Sequence, residues 1–176
     1  NPAIDPASID TVLLTHGHLD HVGYLPRLVK LGFKGQILAT EPTAELAVII
    51  LEDSGRIQED EAIKANAMGY SKHKPAQPLY TSKDVKATLP LIHPVKDNEW
   101  IELDKNIKFR FLRNGHIIGS STIDLMVEGK LIVFSGDIGR FEDEMFLPPI
   151  QPQKADILLI ESTYGNRLHP KEQTNL

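Results

Sequence analysis

Ile9-Asp10-Thr11-Val12-Leu13-Leu14-Thr15, running into His16-Gly17-His18-Leu19-Asp20-His21, is the stretch on which the fold turns. The first seven residues are short-run, apolar and β-branched, which predicts a buried strand. The polar cluster directly after it sits where a site would be built, at the strand's end. Residues two apart on an extended segment point the same way, so His16 and His18 can chelate one ion together. Asp20 and His21, turning into a following helix, can address a second ion beside it. Nitrogen and oxygen donors without thiolate suit Zn²⁺, though Mn²⁺ or Fe would fit a similar site. The plain alternative, a chance His cluster on a surface loop, does not account for the placement behind a buried strand.

Outward from that loop, Val22, Leu25, Leu28 and Val29 predict a helix ending at Leu31-Gly32, and residues 35–39 a second strand. Thr40 is placed as the N-cap of the next helix, with Pro42 in its first turn. Leu46, Ile49 and Ile50 lie at helical spacing, and Glu59-Asp60-Glu61 reads as a solvated acidic face. Residues 72–78 form a loop, and Thr81-Ser82-Lys83-Asp84 opens a short helix capped by Ser82. From about residue 99 strands dominate. Ile107–Phe111 alternates, and 122–127 and 130–134 form a hairpin turning at Glu128-Gly129. Asp156–Ile160 predicts another buried strand, ending at Glu161. Helices mixed with two strand-rich runs indicate α/β layering.

Composition narrows the class. The chain has 176 residues, 41% hydrophobic and 24% charged, an ordinary globular balance with room for a core. Its formal charge of −5 argues against a module that holds nucleic acid by charge alone, but not against an enzyme whose metals meet the phosphate. With no cysteine, any metal rests on His and carboxylate. No run approaches the roughly 18 apolar residues of a membrane span, so no membrane association and a cytoplasmic location are expected. The chain opens on Asn1 rather than Met and is read as a piece of a longer protein.

Two later residues share the setting of the first cluster. His116 lies in Gly115-His-Ile-Ile-Gly-Ser-Ser121 after one predicted strand, and Asp137 in Ser135-Gly-Asp-Ile-Gly-Arg140 after another. Flanking glycines let the backbone turn sharply and approach a ligand. Each alone is an ordinary turn; their weight comes from completing a set. Ser120 and Ser121 read as braces of the ligand loop rather than nucleophiles, because no base-orienting partner is evident. His73 and His93 read as surface or loop residues, and Trp100 with the strand aromatics as core.

The ordered series His16-x-His18-x-Asp20-His21, His116, Asp137 resembles that of metallo-β-lactamase-fold hydrolases. The resemblance implies a four-layer αββα sandwich, partial here, with the site at one edge of the paired sheets. It implies one metal on His16, His18 and His116, a second on Asp20 and His21, and Asp137 bridging both. A narrower resemblance, to the β-CASP branch of RNA 3′-end processing endonucleases, RNase J-type enzymes and DNA-repair nucleases, rests on four motifs. They are Thr15 to Pro26, Gly115 to Ser121, Phe134 to Arg140 and Glu161-Ser-Thr-Tyr-Gly-Asn-Arg-Leu-His169.

That branch implies hydrolysis of RNA phosphodiesters by a hydroxide held between two Zn²⁺, with Asp20, Asp137 and Glu161 in catalytic roles. It implies RNA as the substrate, single-stranded DNA as a second candidate, and homodimers or processing-complex subunits as partners. Residues 1–165 then form the N-terminal portion of the metallo-β-lactamase domain, and 166–176 lead toward an inserted β-CASP domain. The branch's early strands, insertion and late histidines do not fall within the chain. One metal is therefore expected to bind better than two, with weak or no activity for the segment alone. Arg140 and Arg167 are candidates for phosphate contact. The competing readings are a thioester or lactone hydrolase of the same fold, which would lack the Glu161 motif, and a non-catalytic scaffold subunit, which would have eroded ligands.

Overall fold

The computed structural model describes residues 3–152 and 154–167. Two sheets stack beneath a layer of helices. The first sheet is parallel, with β1 (Thr11–Leu13), β2 (Gln36–Thr40) and β3 (Ile92–Val95) in that order. The second comprises β4 (Ile101–Asp104), β5 (Ile107–Arg113), β6 (Ser121–Val127), β7 (Lys130–Phe134) and β8 (Ile157–Leu159), also in sequence order. Neighbours β4 to β7 are antiparallel, and β8 joins β7 in parallel.

The period of two along the strands divides the core. Ile37 and Ala39 of β2 face the helices, among Val22, Leu51, Tyr80 and Val85. Leu38 faces the other way, onto Phe109, Phe111 and Ile123 of the second sheet. Phe109 and Phe111 are fully buried and meet edge to face at 5.3 Å. Each contributes about 1.5–3 kcal/mol by burial. Helix, sheet and sheet account for three of the four expected layers among the described residues.

The helical layer consists of α1 (Leu19–Val22), α2 (Leu25–Lys30), α3 (Glu41–Met68) and α4 (Ser82–Thr88). The single helix predicted after the His cluster is two short ones, broken at Gly23-Tyr24 with Pro26 in the first turn of α2. Gly23 is closed against its own turn: a Cβ there would lie 2.4 Å from the Leu19 carbonyl. Thr40 does sit at the N-cap of α3, but its hydroxyl makes no capping bond. It donates instead to the Gly119 carbonyl, 2.6 Å away.

The cap of α4 is Thr81 rather than Ser82. Thr81 and Asp84 satisfy one another's backbone N–H groups in a capping box. Ser82 turns to Glu59, so that glutamate ties α4 to α3 and is not simply solvated.

Two further expectations change, and one strand is added to those expected. β3 was not predicted, because Pro94 interrupts its pattern; Pro is tolerated since β3 is the edge strand. His93 lies on that strand and is exposed, and His73 is exposed in a loop. β8 is a strand but not a buried one: Ile157, Leu158 and Leu159 are about half exposed at the sheet's edge. Trp100 is not core either. It lies on the surface with Arg110 4.6 Å and Lys108 5.1 Å from its ring.

Candidate metal centre

The sheet topology places the ligand loops together. β5 and β7 are both antiparallel to β6, and β8 is parallel to β7, so all three end at one edge. The loop after β1 reaches the same edge, where the Ser121 N–H donates to the Thr15 carbonyl at 2.8 Å. His16, Asp20 and their neighbours thereby meet His116 after β5 and Asp137 after β7.

Two groups of donors result, and Asp137 belongs to both. His16, His18, His116 and Asp137 form one, and Asp20, His21 and Asp137 the other; within each, the donor atoms lie within 4.8 Å of one another. In the first, His18 Nδ1 is 3.0 Å from His16 Nε2 and 3.2 Å from His116 Nε2. Asp137 Oδ2 completes it, 3.7 Å from His16 Nε2 and 3.6 Å from His116 Nε2. A tetrahedral Zn²⁺ with bonds of about 2.0–2.1 Å holds its donors roughly 3.3 Å apart, and these separations bracket that edge. In the second group, His21 Nε2 is 3.4 Å from Asp137 Oδ1 and 3.6 Å from Asp20 Oδ2. The two oxygens of one carboxylate thus address two different histidine sets. The chemistry of the donor set, imidazole nitrogen and carboxylate oxygen at these separations, fits divalent cations of the zinc class.

The electrostatics suit a cation as well. Burial, reinforced by the imidazole of His21 and opposed by Asp137, pushes His16 down from 6.5 to about 4. Its ring is therefore neutral at pH 7 and keeps a lone pair for a ligand. With Nε2 turned into the cluster, Nδ1–H of His16 is left to donate to Thr15 Oγ1 at 3.1 Å. His21 Nδ1 lies 3.5 Å from the same oxygen. Thr15 thus braces the clustered rings of His16 and His21 from behind, the place an outer partner of a metal-bound histidine would take. Its position at the strand's end was in view from the sequence, but its role was not.

Glycine is required where the loops touch. Gly136 has φ +57°, and a Cβ on it would lie 2.8 Å from that of Thr15. At Gly139 a Cβ would fall 2.0 Å from the Gly115 carbonyl oxygen, so the Asp137 loop passes directly against the His116 loop. Ser120 is buried and braces that loop as expected, its hydroxyl accepting from the His116 and Ile117 N–H groups. Ser121, also buried, donates to the Gly119 carbonyl at 3.1 Å. Thr40 and Thr43 donate to that carbonyl from the other side, a brace that sequence reading missed because the residues are nearly eighty apart.

Glu161 lies near the centre but does not join either donor group. Its Oε1 accepts from the Ile138 N–H at 2.5 Å, and its own N–H donates to Ser135 Oγ at 3.0 Å. Together with His116, Asp137, Arg140 and Tyr164 it lines a cavity of about 320 Å³. Arg167 stands over the Tyr164 ring at 5.5 Å. His169 lies outside the described residues.

A mixed α/β sandwich with such a donor cluster at the C-terminal edge of its strands has the setting of a metal-binding domain. Residues 2–166 match the model of the metallo-beta-lactamase superfamily, and the chain belongs to that family. It is 36% identical over 165 residues to a ribonuclease of Thermus thermophilus, covering 94% of this chain and 34% of the relative. An RNase J-like protein of Methanocaldococcus jannaschii is 33% identical over 171 residues, covering 97% and 35%. An endoribonuclease of Schizosaccharomyces pombe is 32% identical over 167 residues, covering 94% and 20%. The chain spans about a third or less of the length of these relatives. Relatives named as ribonucleases bear out the narrower resemblance to the RNA-processing β-CASP branch. No helix among the described residues is long and apolar enough to cross a membrane.

Proposed function

We propose that this chain carries the metal centre of a ribonuclease that hydrolyses the RNA phosphodiester backbone. His16, His18, His116 and Asp137 would hold one Zn²⁺, and Asp20, His21 and Asp137 the second; Mn²⁺ or Fe suits the same donors. Bound there, such ions lower the pKa of water to around 7 and neutralise charge on a phosphoryl group. The observation that carries the reading is Asp137, whose two oxygens face the two histidine sets.

The remaining side chains divide the work. His16 supplies a neutral, solvent-free donor at pH 7. Thr15 fixes the ring planes of His16 and His21. Asp20, largely exposed, closes the open side of the second group. Glu161 acts as a positioning residue, holding the Asp137 loop through the Ile138 N–H. Arg140, on the cavity wall beside Asp137, is the cation placed to meet a phosphate. RNA is favoured over a thioester or lactone by the relatives named as ribonucleases.

The test is cleavage of end-labelled RNA by the full-length protein, with metal supplied and with chelator. Metal-dependent cleavage by the wild type that falls to background in His18→Ala supports the reading. A His18→Ala protein that cuts RNA normally refutes it.

A further inference from the structure

Asn114 stands between the end of β5 and the Gly115-His116 loop and is fully buried. Its Nδ2 donates to two carbonyls, Ser135 at 3.0 Å and Asp137 at 2.8 Å. Its Oδ1 is 3.3 Å from the His116 N–H, which it accepts. Its backbone carbonyl accepts the Gly139 N–H at 2.9 Å, and its own N–H donates to Ser120 at 3.2 Å. The amide's orientation follows from these partners. Reversed, it would set oxygen against two carbonyls and N–H against an N–H. Only a side chain with two donors and one acceptor in a plane meets all three groups at once.

The bonds join one ligand loop to the other. His116 belongs to the first donor group, and Asp137 is shared by both. The close backbone approach of Gly139 to Gly115 between these loops is a contact that Asn114 straddles. We propose that Asn114 is a positioning residue of the metal centre: it sets the separation of His116 from Asp137 and so the spacing of both cation sites. This rests on reading the six ligands as a metal centre. Partners that orient ligands from outside typically govern metal affinity 10–100-fold. Asn114 differs from the usual such partner in bonding the ligands' backbones rather than their rings, which is why one residue reaches both sites.

A buried asparagine could instead serve the fold alone, and the test separates the two roles. Zinc affinity is measured by competition with a chromophoric chelator in the full-length protein, alongside the melting temperature of the metal-free form. The Co²⁺-substituted protein's visible spectrum supplies a readout of ligand geometry. Asn114→Ala weakens zinc binding by about 10–100-fold and alters the Co²⁺ spectrum. Ser54→Ala, which removes another buried hydrogen bond far from the loops (to Tyr80), lowers the melting temperature but leaves affinity within about twofold. Asn114→Asp keeps the volume but turns an acceptor toward two carbonyls, and weakens zinc binding at least as much as alanine does. If alanine prevents folding, the aspartate variant is read in its place.

Asn114 variants that melt early yet bind zinc within about twofold of wild type overturn the proposal. A Ser54→Ala protein losing as much affinity as Asn114→Ala overturns it too. A wild type that binds no zinc would bring down the reading of the centre itself, and the role of Asn114 with it.

Discussion

His16, in the loop after β1, and Asp20, in the first turn of α1, stand four residues apart and serve the two donor groups in opposite surroundings. His16 has no solvent exposure, and its group is closed by four donors drawn from three loops. The Asp20 side chain is 77% exposed, and its group has three donors, one of them borrowed. The first half lies where the loop after β1 of one sheet meets the loops after β5 and β7 of the other, with His16 buried among them. The second half rests on the four-residue helix α1 and on Asp137. On the proposed reading, the difference predicts a filling order within this chain, a tighter first cation and a weaker second one.

The sharpest way to break that contrast is at the shared ligand. Asp137→Ala removes a donor from both halves, so zinc content measured by elemental analysis should fall toward zero. Asp20→Ala comes next. It should release the second equivalent alone, leaving the first bound with nearly wild-type affinity by chelator competition. Loss of both ions would show that the halves are not separable. Gly139→Ala disturbs the frame rather than a donor. Forcing a Cβ against the Gly115 carbonyl should cost about 1–3 kcal/mol in denaturant melts and weaken the first site in parallel.

The smallest effect belongs to the helical layer. Burial pushes the Asp84 carboxyl up, but the Thr81 N–H and hydroxyl and Lys30 outweigh it and hold it below the usual range. Asp84→Ala removes that capping box and the ion pair to Lys30. It should cost about 1 kcal/mol of stability with zinc content unchanged.

The clustered donors were legible because their chemistry is local. A His pair two apart after an apolar run, and a Gly-His and a Gly-Asp each after a strand, carry their meaning within a few residues. The core strands were legible for the same reason: Ile107–Phe111 alternates, and Phe109 and Phe111 are buried as their period requires. What stayed hidden depends on distant partners. Thr40 looks like a cap until Gly119 is brought to it, and Ser82 looks like one until Glu59 is. Pro94 conceals a strand that exists because β2 pairs with it. Trp100 reads as core by its residue type, yet Lys108 and Arg110 cover it at the surface. Asn114 gives no signal beyond its place before Gly115, because its three partners come from the loop after β7 and from the turn it begins.

Anomalous diffraction at the zinc edge from crystals of the zinc-loaded protein tests the shared centre most directly. Two peaks should flank Asp137, about 3.5–4 Å apart, with the stronger among His16, His18 and His116 and the weaker beside Asp20 and His21. Zinc bound elsewhere, or a fully loaded crystal with no peak within bonding distance of Asp137, would contradict it.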